Sequence, residues 1–156
     1  MSGASTAPPS MGDDDAATAI HKYGAFVEDV LKPQLQASLA QRDALSTEIR
    51  EYEELLAFVH EQLAASEPTA IATLMDLGQR FHVRAKITDP TMITVDIGLN
   101  FHAEMTMDEA QRFVTRHLAH LNEKRQRWQE KAREISNHVN VVLEAIQKLA
   151  MLQQPL

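Results

Sequence analysis

His117 and His120 stand one helical turn apart with Glu123 a further turn on, the spacing in this chain that comes nearest to a metal pair. A zinc site needs a third positioned ligand, and i, i+3 neighbours arise on any helix surface, so these read as packing and surface residues and no metal is expected. His82 and His102 lie opposite apolar positions in alternating segments; they are expected to line a polar sheet surface, with a pH-dependent contact as the lesser reading. Lys124-Arg125-x-Arg127 is basic, but Arg125 falls on an apolar seam and is expected to meet Glu48 or Glu51 across a helix pair instead of a phosphate. The chain has no Cys, which removes thiolate nucleophiles and disulfides, and carries no P-loop, HExxH, GxSxG or GxGxxG. No catalytic residue, cofactor or enzymatic activity is expected.

A formal net charge of −7 and a pI near 5.4 argue against direct nucleic-acid binding, which needs a basic face to neutralise phosphates. No apolar stretch is long enough for a membrane span, and no membrane partner is expected. Residues 1–17, with Ala, Ser, Thr, Pro, Gly and Asp13-Asp14-Asp15, read as a disordered acidic tail and not as a signal peptide. With only five Gly, six Pro and 5% aromatics, the remaining chain has few turns and must use long elements.

Two breaker-free stretches supply them, since neither Gly nor Pro occurs between Gln34 and Glu67 or between Leu99 and Gln154. Positions 114, 118, 121, 125, 128, 132, 135, 139, 142, 146 and 149 step by four and three, and all but Arg125 are apolar. That is the narrow seam of a coiled coil. The first stretch repeats it at 35, 38, 42, 45, 49, 52, 56, 59 and 63, where only Ser38 and Arg42 depart. Upstream, Ile20, Tyr23, Val27 and Val30 keep the spacing but slip phase by one residue at Leu31, just before Pro33, which predicts a stutter or kink.

Thr106-Met107-Asp108-Glu109 is a capping box that starts the second helix, and Pro68 ends the first. The organisation expected is a helix over 18–66, two β-hairpins over 67–106 and a helix over 107–153, within one domain spanning 18–156. The helices are of equal length and opposite charge balance, with eleven acids to four bases in residues 1–66 and six acids to eight bases in residues 107–156. They should pair as an antiparallel hairpin, in a register that places Leu45 near Trp128 and Leu63 near Ala110.

Between the helices the period is two. Phe81, Val83, Ala85 and Ile87 share one face, as do Leu99, Phe101, Ala103 and Met105. Asp76-Leu77-Gly78-Gln79-Arg80-Phe81-His82-Val83 recurs as Asp96-Ile97-Gly98-Leu99-Asn100-Phe101-His102-Ala103, so the hairpin unit is duplicated at a spacing of 20. Four short strands cannot close their own edges, so other subunits must complete the sheet. The fold class is therefore α+β, an antiparallel two-helix coiled coil joined by two β-hairpins.

This layout resembles the α-class subunits of the prefoldin family. The similar positions are Tyr23, Phe26, Asp29-Val30-Leu31, Leu35, Leu39 and Arg42-Asp43, then Asp76-Leu77-Gly78, Phe81, Val83, Asp89, Ile93, Val95, Gly98 and Phe101, and Glu104, Thr106, Glu109-Ala110 and Phe113. Pro33 departs from the family's first helix, and Asn100 stands where a second glycine is usual. The resemblance implies a prefoldin-like cochaperone subunit in a hexamer of two α and four β subunits whose hairpins build a platform. Implied partners are β-class and a second α-class subunit, the R2TP cochaperone and clients such as RNA polymerase subunits. It also implies a link to transcription and residence in cytoplasm and nucleus. The alternatives are the α subunit of general prefoldin, which holds unfolded actin and tubulin for the chaperonin, and a homodimeric coiled-coil scaffold.

The oligomer interface expected on the strands comprises Leu77, Phe81, Val83, Ala85, Ile87, Ile93, Val95, Ile97, Leu99, Phe101, Ala103 and Met105. The apolar end of the coiled coil, with Ile20, Tyr23, Phe26, Val27, Ile146, Leu149 and Leu152, is expected to bind a client or partner. The competing reading makes those residues ordinary seam.

Overall fold

The computed structural model describes residues 13–65 and 70–152. The order is α1 (Asp13–Phe26), a π-helical turn (Val27–Leu31), α2 (Lys32–Ala64), β1 (Ile71–Asp76), β2 (His82–Ile87), β3 (Met92–Gly98), β4 (Phe101–Thr106) and α3 (Met107–Leu152). Helix α1 begins at Asp13, inside the segment expected as a tail. The expected tail residues 1–12 and the expected helix ends at 66 and 153 lie outside the described residues.

Contacts group the chain into two units, Ala44–Arg125 and the residues up to Asp43 together with those from Gln126. In the latter, the phase slip has a physical carrier. The Lys32 amide donates to the Val27 carbonyl, one residue wider than an α turn. Pro33 has no amide to give and its ring would crowd the carbonyl four residues back, so the ladder is opened where proline would break it anyway. The extra residue moves the seam from Val30 to Leu31: Val27 and Leu31 are buried against Ile135 with Leu35, Val139 and Val142, while Val30 is exposed. Leu31→Ala should accordingly cost about 2–5 kcal/mol in thermal or urea unfolding, and Val30→Ala should stay within about 0.5 kcal/mol.

Further along the same unit the seam turns polar. Ser38 is buried and satisfies its hydroxyl on the Gln34 carbonyl (2.9 Å), and the Arg42 guanidinium donates to the Gln129 side chain at 3.0 Å. A polar layer of this kind costs stability and selects register.

In the Ala44–Arg125 unit two apolar clusters hold the helices together. Ile49 packs with Val114, Leu118 and Leu121; Val59 packs with Val95, Met107 and Ala110. Cross-helix contacts lie within about one turn of the equal-length expectation, with Tyr52 against His117 and His60 hydrogen-bonded to Gln111 at 3.0 Å. Arg125 is exposed and pairs with neither Glu48 nor Glu51; Glu48 approaches His117 instead, at 3.8 Å.

The capping box forms as its sequence predicts. Thr106 gives both its amide and its hydroxyl to Glu109 Oε2 at 2.9 Å, and the Glu109 amide returns to Thr106 Oγ1 at 3.3 Å. The Thr106 amide first, then its hydroxyl, hold the Glu109 carboxyl below its ordinary range. A depressed carboxyl stabilises above its unfolded-state value and stops doing so as pH falls through its folded one. Thr106→Ala, which removes the hydroxyl and leaves the amide, should therefore lower Tm at neutral and alkaline pH, with the gap from the parental chain narrowing as pH falls through the folded-state value.

Candidate functional site

Both hairpins are antiparallel, with registers Ile71↔Ile87 to Asp76↔His82 and Met92↔Thr106 to Gly98↔Phe101. They form two separate two-stranded sheets. Their duplicated tips share one geometry: Asp76 Oδ1 accepts from the Gly78 amide and Asp96 Oδ1 from the Gly98 amide, each at 2.8 Å. Gly78 and Gly98 have φ +85° and +98°, and two left-handed residues follow, Gln79 and Arg80 in one hairpin, Leu99 and Asn100 in the other. Consecutive left-handed residues match the strand twist of a tight hairpin. Asn tolerates that region, so the missing second glycine does not loosen the turn. Leu99 tolerates it poorly and is 93% exposed, a strained apolar side chain presented at a loop tip.

The two apolar faces differ in what covers them. On the second hairpin, Val95 is 3% exposed in the cluster with Val59, Met107 and Ala110, and Ile93 and Met105 pack against it. Of these three residues expected at the subunit interface, Val95 is already covered within its own chain, while Ile93 and Met105 are half-buried beside it. Ala103 is half-buried; Ile97, Leu99 and Phe101, nearer the tip, are exposed. On the first hairpin no strand residue is buried: Val83 and Ile87 are exposed, Ala85 is half-buried, and Leu77 and Phe81 are 64% and 72% exposed.

Leu74, Met75 and Met92 are also exposed strand residues that sequence reading missed. The alternation Ile71, Thr73, Met75 was the available signal. It was obscured because Leu74 makes both faces of β1 apolar and because the strand begins just after a proline.

The residues expected to bind clients separate as well. Val27 is buried in the seam and is not a free contact, since the π turn rotates it inward. Ile20, Ile146 and Leu149 are half-buried; Tyr23 and Phe26 are each 45% exposed; the Leu152 side chain lies outside the described residues. Val141, Leu143 and Met151 add exposed apolar surface off the seam.

His117 is a packing residue. Its ring stacks on Phe113 at 5.6 Å and tilts against Tyr52 at 4.6 Å, while His82 and His102 occupy equivalent exposed positions opposite Asp76 and Asp96. Among the described residues no three His, Asp or Glu groups gather as metal ligands, and no helix is long and apolar enough to cross a membrane. Tyr52 donates to the Asp96 carbonyl at 3.1 Å. Burial first, then the charges of Asp96, Glu48 and Glu51, push its phenol above the ordinary value.

Two long antiparallel helices joined by two hairpins, the first uncovered, describe a coiled-coil subunit built for assembly. The family profile described as "Prefoldin subunit" matches residues 31–152, and the chain belongs to the prefoldin family. Within it the chain is similar to UXT proteins. It is 30% identical over 141 residues to the Protein UXT homolog of Nematostella vectensis, covering 90% of this chain and 89% of the relative. It is 29% identical to Protein UXT of Bos taurus over 148 residues, covering 95% and 94%, and 29% identical to Protein UXT of Homo sapiens over 132 residues, covering 85% and 83%. In fold it is similar to a chain of filamentous PFD from Methanocaldococcus jannaschii, solved by cryo-EM. The TM-score is 0.55 at 19% identity, covering 81% of this chain and 97% of that one.

Proposed function

We propose that this chain is a non-enzymatic, UXT-type prefoldin-like cochaperone subunit that enters a hexamer of α- and β-class subunits through its hairpins. The observation that carries this reading is the first hairpin: a two-stranded sheet with no buried strand residue, exposing Leu74, Met75, Val83 and Ile87. Isolated hairpins are marginal in water, and an apolar two-stranded sheet of this kind needs cover from another chain. The similarity to UXT proteins across most of both chains supports placing the hexamer in the R2TP-associated prefoldin-like module. There it would aid assembly of large complexes such as RNA polymerases, with a link to transcription, in cytoplasm and nucleus. Tyr23 and Phe26, exposed on α1, are the client or partner contacts of this reading.

Affinity purification of the tagged full chain, with mass spectrometry of what it retains, tests this. Recovery of β-class prefoldin subunits together with R2TP components is the expected result. Recovery of the chaperonin with actin or tubulin would move the chain to the general prefoldin, and recovery of itself alone would leave a homodimeric scaffold. Coexpression with β-class subunits should also turn a self-associating preparation into a defined hetero-oligomer.

A further inference from the structure

The first hairpin has two faces of different chemistry. Its register puts Ile71, Thr73 and Met75 of β1 with Val83, Ala85 and Ile87 of β2 on the apolar face. The other face carries His82, Arg84 and Lys86, all exposed, directly opposite Asp76, Leu74 and Ala72. Arg84 and Lys86 therefore have no acid across from them, and neither forms an ion pair among the described residues. Asp76, at the end of the row, accepts from the Gly78 amide. Leu74 stands exposed beside Arg84.

The duplication supplies an internal control. At a spacing of 20 the second hairpin pairs the equivalent residues in the same register, Met92↔Thr106, Thr94↔Glu104 and Asp96↔His102. Only the Asp and the His recur. Where the first hairpin has Arg84, Lys86 and Leu74, the second has Glu104, Thr106 and Thr94, so the hairpin fold does not itself require two cations around an exposed leucine. Alternate residues on a strand are about 7 Å apart, and an extended segment laid over the face has the same period. Carboxylates at alternate positions of such a segment meet Lys86 and Arg84 in step, and an apolar side chain at the next one reaches Leu74 diagonally. A nucleic acid fits less well. A phosphate backbone has nothing to offer Leu74, Asp76 closes the row at one end, and the chain as a whole carries −7.

We infer that this face of the first hairpin is a docking surface for a short, extended acidic segment of a partner protein, whose carboxylates pair with Arg84 and Lys86 while an apolar side chain covers Leu74. No strand edge takes part. The inference rests on the assembly reading above only for which face stays open in the assembled state: the apolar face is taken by other subunits, and the cationic one is turned away from them. Exposed charge pairs are individually weak, so the contact gains specificity from the matched spacing and from Leu74 together.

Fluorescence anisotropy tests it on the full-length chain, with a labelled peptide that has glutamate at two successive alternate positions and leucine at the next. Binding should weaken as salt rises, because the charged contacts are exposed. Arg84→Glu with Lys86→Glu should reduce affinity about tenfold or more, since attraction becomes repulsion at both positions. A peptide with lysine in place of glutamate should reverse the order, binding that variant in preference to the parental chain, which also shows the variant to be folded. Leu74→Ser should weaken the glutamate peptide about threefold, and Glu104→Lys, at the equivalent place in the second hairpin, should leave its affinity unchanged. A parental chain that does not bind, equal binding by the reversed variant, or an oligonucleotide that displaces the peptide more readily than unlabelled peptide does would each overturn the docking face. Recovery of β-class subunits separates it from the assembly reading. The Arg84→Glu, Lys86→Glu chain should still recover them; if it loses them together with the peptide, the cations serve assembly and the docking face falls. If the parental chain binds the peptide but recovers no β-class subunits, the docking face stands and the assembly reading falls.

Discussion

Val95→Asp should unfold the hairpin end of the isolated chain. The residue is 3% exposed among Val59, Met107 and Ala110, with Phe58, Ile93, Met105 and Phe113 around them, an apolar setting for a new carboxylate. A buried unpaired charge costs on the order of 3–5 kcal/mol, a large share of a domain stability of about 5–15 kcal/mol. In a chain of this size that lowers Tm by about 10 °C or more, readable as an early loss of helix signal in circular dichroism. Val95→Thr, of similar shape, should cost about 1–3 kcal/mol for its unbonded hydroxyl. An unchanged melt for Val95→Asp with lost partners would instead put Val95 in contact with another subunit, as alternation alone suggests.

Phe81→Asp combined with Phe101→Asp should do the opposite, leaving the melt of the isolated chain nearly unchanged while abolishing assembly. Both rings are exposed, at 72% and 65%, so the free chain loses little by the change. In an assembled platform each would be covered; withdrawing a buried Phe forfeits about 1.5–3 kcal/mol, and the added carboxylate must also be desolvated. Together that exceeds about 100-fold in affinity. Pull-down with coexpressed β-class subunits should fall below detection at unchanged helix content. If the double variant is incorporated at normal yield, these rings do not face the partner and the assembly surface must be sought on Leu74 and Met75.

The helices were legible because their evidence is local and redundant. Eleven seam positions in α3 repeat one pattern, and a capping box needs only Thr106 and Glu109. The slip at Leu31 was legible too, since a seam that loses phase before a proline admits few physical remedies. Its form as a π turn was not, because several backbone routes absorb one residue at similar cost. Cross-helix register was legible to within about a turn, since equal helix lengths bound it but do not choose among neighbouring turns.

By itself the sequence determined the long helices, the four strands, the duplicated hairpin, and the glycine and Asx chemistry of its turns. All of these depend on residue type at fixed short spacing. Tertiary structure alone decided how the apolar strand faces are shared out. Alternation marks Val83 and Val95 alike as half-buried, since a period of two reports that a face is covered and not by what. Only the packing of α2 and α3 shows that Val95 is covered within its own chain, while Val83, Phe81 and Phe101 stay exposed on it.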